Sequence, residues 1–182
     1  MNTIGVNQKL KTIFKIEKGT LQSTKNKPGS YVFVTAAEDW KTHKDYTHNC
    51  EALIFAAGAS GSLGRIHYIK GEFIASDLCY ILTPKGINEK KVSLRYYFHF
   101  FEYRREKIVR LLARGSAKKA INKTDFSNLE VPYPKYTDQV KYAKQLDRVA
   151  KSKNTINEKM KSINKQLNLI LLLKMNEVFV GE

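Results

Sequence analysis

Asp77 with Glu89-Lys90-Lys91 supplies an acid followed by Glu-x-Lys. Two carboxylates and a lysine can hold Mg²⁺ and activate water against a phosphodiester. The spacing is loose, and Glu89–Lys91 follows Pro84-Lys85-Gly86 in a turn-like region, so this set is the alternative reading: a stand-alone Mg-dependent nuclease. Gly58, Gly61 and Gly64 invite a phosphate-loop reading. A nucleotide loop needs Gly-Lys-Ser/Thr at its end, so that a lysine and a hydroxyl reach phosphate and metal. Here Arg65 follows Gly64, and strand signals follow in place of a helix. A tight turn that lets backbone approach another strand or a ligand fits better. His43, His48, Cys50 and Cys79 lack the paired spacings of zinc sites. No nucleophile–base set stands out, and there is no Asn/Asp-Pro-Pro-Tyr/Phe motif of an amino-methyltransferase. The expectation is a chain with no catalytic centre and no metal site.

Charge points more firmly. The 182 residues carry 32 Lys+Arg against 17 Asp+Glu, a formal charge of +15. Such an excess implies a polyanionic partner. Eight basic residues and one acid, Glu106, lie between Arg104 and Lys123. Part of that run is the solvated face of a helix. It then continues into Arg114-Gly115-Ser116-Ala117-Lys118-Lys119, a loop with a hinge, a hydroxyl and three cations. Arg114, Ser116, Lys118 and Lys119 are therefore candidate DNA contacts, able to follow a phosphate backbone and to offer donors to guanine edges. Lys41, Thr42, His43 and Lys44 form a second candidate loop. Ser62 and Arg65 in the glycine turn form a third.

The elements that must position these residues are legible in outline. Tyr31–Thr35, Ala52–Ala56 and Cys79–Thr83 read as strands. Arg65–Ile69 and Glu72–Ala75, with Lys70-Gly71 between, read as a hairpin. Strands at this spacing predict a curved or barrel-like sheet. Residues 92–113 switch to helical spacing, with Leu94, Tyr97, Phe98, Phe101, Ile108, Leu111 and Leu112 on one face. Pro132-Tyr133-Pro134 imposes extended geometry. From Thr137 onward, Tyr142, Leu146, Val149, Lys153, Ile156, Met160, Ile163, Leu167 and Ile170 recur at alternating spacings of three and four. That is a heptad seam with one interruption, at Lys153. A lone helix cannot bury such a seam against itself, so it demands a partner. The predicted class is α+β: residues 1–136 a β-rich domain with a curved or barrel-like sheet and flanking helices, residues 137–182 one long coiled-coil helix.

Apolar residues make up 42% of the chain, enough for a real core. Two cysteines do not make a disulfide scaffold. Met1–Lys11 is polar with no apolar run after it, and Leu169–Leu173 is too short to span a bilayer. A cytoplasmic protein without a membrane partner is expected.

Several stretches together resemble the DNA-specificity subunits of type I restriction-modification systems. Lys18-Gly19, Ser30–Val34 and Glu51–Gly58 follow the family's order. Gly61–Tyr68, then Gly71–Asp77, is the most specific block. Gly115, Lys118-Lys119, Leu129–Pro134 and Gln139 resemble the close of the recognition domain, and the heptad helix resembles the family's conserved-region helix. The resemblance implies a target-recognition domain and spacer helix that read double-stranded DNA without catalysis. It implies partner methyltransferase (modification) subunits that carry S-adenosylmethionine and methylate adenine, and a restriction motor-nuclease subunit. The chain itself would hold no cofactor. The family's usual subunit carries two such domains and two helices, and this chain shows one of each. It would then act as a half-subunit, homodimeric through Leu146, Val149, Ile156, Met160, Ile163, Leu167 and Ile170, or be a piece of a longer subunit. A basic coiled-coil scaffold that binds DNA without reading sequence is the remaining alternative.

Overall fold

The densest apolar run, Ala52–Ala56, lies in the strand that organises the fold. In the computed structural model, which describes residues 6–59, 61–86, 91–116 and 118–179, this strand is β5 (His48–Ala56). It pairs antiparallel with β6 (Ile66–Ala75) from His48↔Phe73 to Phe55↔Ile66. On its other edge it pairs with β7 (Cys79–Pro84). Core clusters on both faces bury it, and apolar side chains on consecutive positions serve both. Leu53 and Phe55 enter one core cluster; Ala52, Ile54 and Ala56 enter the other.

Around this centre the sheet runs β2-β7-β5-β6-β3-β4, with β2 at Phe14–Lys18, β3 at Tyr31–Val34 and β4 at Lys41–His43. The β3–β6 pair alone is parallel among these. The α+β class holds, but the curved or barrel-like sheet does not form. Closure would require β2 to meet β4, whereas β2 pairs with β7 and β4 with β3, so both remain edges. Even strand spacing reports strand length and turns; it carries no information on whether the outermost strands meet.

The expected hairpin at Lys70-Gly71 is also absent. β6 runs straight through, with Cys50↔Gly71 and Glu51↔Lys70 in register. Gly71 takes a φ of +112° inside the strand. Its left-handed conformation was legible from the residue type, but the ten-residue ladder overrides the turn.

One face of the sheet is covered by α2 (Leu94–Leu112), together with α1 (Leu10–Ile13) and α3 (Lys123–Asn128). The Ser93 hydroxyl caps α2, accepting from the Tyr96 amide at 3.3 Å. Leu94, Tyr97, Phe101, Ile108 and Leu112 are buried as the helical spacing predicts, and so is His99. Leu111 is 56% exposed, so it belongs to the outer face. The Tyr97 hydroxyl donates to the Pro132 carbonyl at 3.0 Å. Pro132 closes β10 (Glu130–Pro132), which pairs with β1 (Asn7–Lys9) in a separate two-stranded ladder, Asn7↔Pro132 to Lys9↔Glu130.

A 44-residue helix, α4 (Tyr136–Phe179), follows. The chain divides into two compact units, Met1–Ala143 and Lys144–Glu182. The first two turns of α4 belong to the first unit because Gln139 and Ala143 are buried there. In the second unit Val149, Ile156, Met160, Ile163, Leu167 and Ile170 are each more than half exposed. Among the described residues, no helix is long and apolar enough to cross a membrane.

Candidate nucleic-acid interface

The glycine turn forms because β5 must reverse into β6 within the space left by α2. Gly64 sits at φ +77°, and a Cβ there would lie 2.5 Å from Val109 Cγ2 and 3.1 Å from Arg105 Cγ. Only glycine fits both the conformation and the approach. The amides of Ser62, Gly64 and Arg65 bond to the carbonyls of Ala59, Ala56 and Ser62, at 2.8–2.9 Å. The turn therefore offers few free N–H groups to a phosphate. Its carbonyls face a cation: Arg105 donates to the oxygens of Leu63 at 3.0 Å and Gly61 at 3.3 Å. This geometry replaces the phosphate-loop reading.

Arg65 leaves the turn toward the segment between β3 and β4. Its guanidinium donates to the Ser62 hydroxyl at 3.3 Å and lies 3.6 Å from a carboxylate oxygen of Glu38. Two residues on, Trp40 is 39% exposed, and its indole N–H donates to His67 Nδ1 at 3.3 Å. His67 is buried, and burial, then the nearby Arg65 charge, hold its imidazole below the usual range. With Nδ1 accepting from the indole, the neutral ring carries its proton on Nε2. Trp40, Arg65 and His67 open onto a cleft of about 540 Å³ whose opposite wall is α2. Arg95, Phe98, Glu102 and Arg105 supply that wall. The Arg95 guanidinium lies over the rings of Tyr68 and Phe98, 5.2 and 5.1 Å from their centroids. Cations interleaved with aromatic faces are the composition that stacks bases and holds phosphates.

The basic loop after α2 is held beside the same turn. Arg114 ends β8 (Ala113–Arg114), which pairs with β9 (Ala120–Ile121). Ser116, Lys118 and Lys119 are exposed at the tip of this two-stranded ladder. Arg114 turns back, donating to the carbonyls of Leu111 at 3.0 Å and Ala113 at 3.1 Å, a cation at a helix C-terminus. The Ile121 amide donates to the Ala57 carbonyl at 2.9 Å, and the Tyr80 hydroxyl donates to the Ile121 carbonyl at 2.8 Å. The ladder is thus fastened to the residue that opens the glycine turn.

Among the sequence-predicted residues, then, Ser62 and Arg65 stand together, and the base of the Arg114–Lys119 segment joins them through Ala57. Lys41 follows Trp40 in the chain, and Lys41, Thr42 and Lys44 are exposed. His43 is buried: its Nδ1 lies 2.9 Å from Asn26 Oδ1 and 3.3 Å from the Lys27 amide, so it pins an adjoining loop. Asp77 pairs with the Ser76 hydroxyl at 3.2 Å, and Glu89 lies outside the described residues. Trp40, Arg95, Phe98 and Arg105 were missed by sequence reasoning. The signal was present: Arg95, Phe98, Glu102 and Arg105 are spaced 3-4-3, one stripe of a helix. It was hidden under the stronger apolar periodicity of the same segment.

The family model for the type I restriction modification DNA specificity domain matches residues 6–167 of this chain. No curated protein matches it. Among solved structures, it is similar to the S subunit of a type I restriction-modification system from M. genitalium, at 18% identity and a TM-score of 0.67. That match covers 83% of this chain and 40% of the other. A chain from a structural study of complex assembly and conformational transition of the type I R-M system matches at 13% identity and a TM-score of 0.79, covering 100% and 47%. The HsdS subunit from Thermoanaerobacter tengcongensis matches at 13% identity and a TM-score of 0.69, covering 100% and 46%. At these identities the likeness is one of fold. The chain spans less than half the length of each of these solved structures.

Proposed function

Because the chain belongs to the type I restriction modification DNA specificity family, we propose that it reads double-stranded DNA for a cytoplasmic methyltransferase and restriction complex, without catalysis of its own. The observation that carries this reading is a cationic ladder fastened to the residue that opens the glycine turn, a turn that two arginines brace. Arg65 and Arg105 brace the turn, and the β8–β9 ladder with Lys118 and Lys119 is bonded to Ala57. Phosphate contacts from the lysines would set the register on the duplex, and the Trp40 cleft would lie against sugar, phosphate or base edge. Replacing Lys118 and Lys119 together by Ala is expected to weaken duplex binding. It should also make the slope of log K against log salt shallower by roughly 2, since each lost phosphate contact removes about one released counterion. An unchanged slope, measured by titration at several salt concentrations, would remove the ladder from the interface.

Catalysis belongs to partner subunits in this reading, S-adenosylmethionine included. The purified chain with Mg²⁺ and plasmid is expected to leave the DNA uncut, and Asp77→Ala is expected to leave the assembled complex's activity largely unchanged. Cleavage by the chain alone, abolished in a folded Asp77→Ala variant, would establish the nuclease alternative. The assembly is a homodimer. One recognition unit reads one short half-site, too little information against a genome of competing sites. An antiparallel pairing of the α4 seams around Ile156, Met160, Ile163 and Leu167 joins two units by a two-fold axis. A symmetric protein then selects an inverted repeat, with half-sites on the order of one helical turn apart, centre to centre. The same helices offer a further face to methyltransferase subunits: Leu169–Leu173 is apolar at five consecutive positions. At about 100° per residue that run covers the full circumference, more than a single seam buries.

A further inference from the structure

The cleft between Trp40 and α2 is concave, about 540 Å³ in volume and walled on two sides. That shape restricts what it can hold. The edges of paired bases are recessed in the grooves of a duplex, and they are reached by elements that protrude, such as a helix or a β-ribbon. A cleft instead receives something that projects from the duplex: a stretch of backbone, or a base that has left the stack.

Charge separates these two. A phosphate entering the cleft would meet two carboxylates, Glu38 with its side chain 86% exposed and Glu102 with its side chain 53% exposed. The guanidiniums beside them are already engaged. Arg65 is held by Glu38 and the Ser62 hydroxyl, and Arg105 by two carbonyls of the glycine turn. Arg95 lies over the faces of Tyr68 and Phe98. A nucleobase carries no charge, and the N–H groups of its pairing edge are donors that a carboxylate accepts. The aromatic wall suits it as well. The polar edge of Trp40, its indole N–H, is taken by His67 at 3.3 Å, with the two rings edge to face at 76°. His67 is buried, so the indole is fixed before any ligand arrives, and its open surface is apolar. A base stacked on such a face recovers part of what it loses on leaving the duplex.

We propose that the Trp40 cleft is a receptacle for one nucleobase turned out of the duplex, with Trp40 as its stacking face. The inference rests on the DNA-reading function proposed above and names the part of the DNA that enters this cleft.

The test is a mismatch walk. A selection from a random duplex pool, performed with the full chain, first supplies the bound sequence. Each of its base pairs is then converted in turn to a mismatch by changing one strand, and binding is titrated. A base leaves a mismatch more readily than a pair, so at one position the wild-type chain is expected to bind about tenfold more tightly. Trp40 is the single tryptophan of the chain, and its emission is expected to be quenched on binding, most strongly by that duplex. The gain is expected to vanish in Trp40→Ala and to persist in Trp40→Phe, which keeps an aromatic face. Emission is read on the wild type, so it decides even if Trp40→Ala unfolds. Binding that weakens or stays level at every mismatch would place backbone in the cleft and overturn the inference. A gain that survives in folded Trp40→Ala, or unchanged Trp40 emission, would overturn it too. A wild-type chain that selects no sequence would fail at the earlier step, the DNA-reading function, and the inference would fall with it.

Discussion

A chain carrying both Ile163→Asp and Leu167→Asp is expected to run as a monomer of 20.9 kDa in light scattering, where the proposed wild-type homodimer is expected at twice that mass. Both residues are more than half exposed along α4, and both lie on the three-four seam. In a symmetric pair each substitution occurs twice, so four carboxylates would be forced into one apolar strip. Burying one unpaired charge already costs several kcal/mol, while each apolar seam side chain contributes roughly 1.5–3 kcal/mol when buried. The charge term wins, and the pair separates. The first unit has its own core and is expected to keep its fold, giving an unchanged near-ultraviolet circular dichroism spectrum. DNA binding should drop to the weak level of one half-site. A wild-type chain that remains monomeric at high concentration without partners, yet selects an asymmetric single site, would sink the homodimer.

The second large effect is in the core. Phe126→Ala is expected to lower unfolding free energy by about 3–5 kcal/mol in a denaturant titration. Phe126 is fully buried, stacked on Phe55 at 4.3 Å between centroids and set against Tyr80 and Phe101 at 5.5 and 6.0 Å. It is the buried residue of α3, a helix of six residues that cannot persist on propensity alone. Tyr80 is held in the same cluster and bonds the Ile121 carbonyl. Losing the ring therefore also loosens the anchor of the β8–β9 ladder, and DNA affinity should fall with stability. A loss below about 1 kcal/mol would mean that the cluster closes around the gap.

The strands built on Val32, Phe33, Ile54 and Phe55 were legible because consecutive β-branched and aromatic residues favour extended pairing. So was the α2 face, because Leu94, Tyr97, Phe101 and Ile108 repeat at helical spacing. What was not legible depends on partners distant in the chain. Whether β2 meets β4 is decided by where β7 and β3 lie, and nothing in Phe14–Lys18 or Lys41–His43 records that. Gly71 carried a true signal of unusual backbone and a false one of chain reversal. At the candidate interface, residue type marked the cationic loops as candidates. The fastening of the β8–β9 ladder beside the glycine turn depends on the Ile121 to Ala57 backbone bond, which leaves no trace in composition. His43 looked like a contact by its neighbours Lys41 and Lys44, but its ring is buried against Asn26 and the Lys27 amide, partners 17 and 16 positions away in the chain.

The short β1–β10 ladder places the beginning and end of the recognition unit side by side. Paired Cα atoms in such a ladder stand only about 5 Å apart, so Asn7 and Pro132 are neighbours although 125 positions separate them in the chain. A module whose entry and exit coincide can be lifted from one host chain and spliced into another through a single pair of adjacent cuts, because the flanking sequence need not stretch to span it. For the proposed reader of DNA, that makes exchange of the entire unit a smaller structural change than rebuilding its loops, and new target sequences would become accessible by transplantation as well as by point mutation.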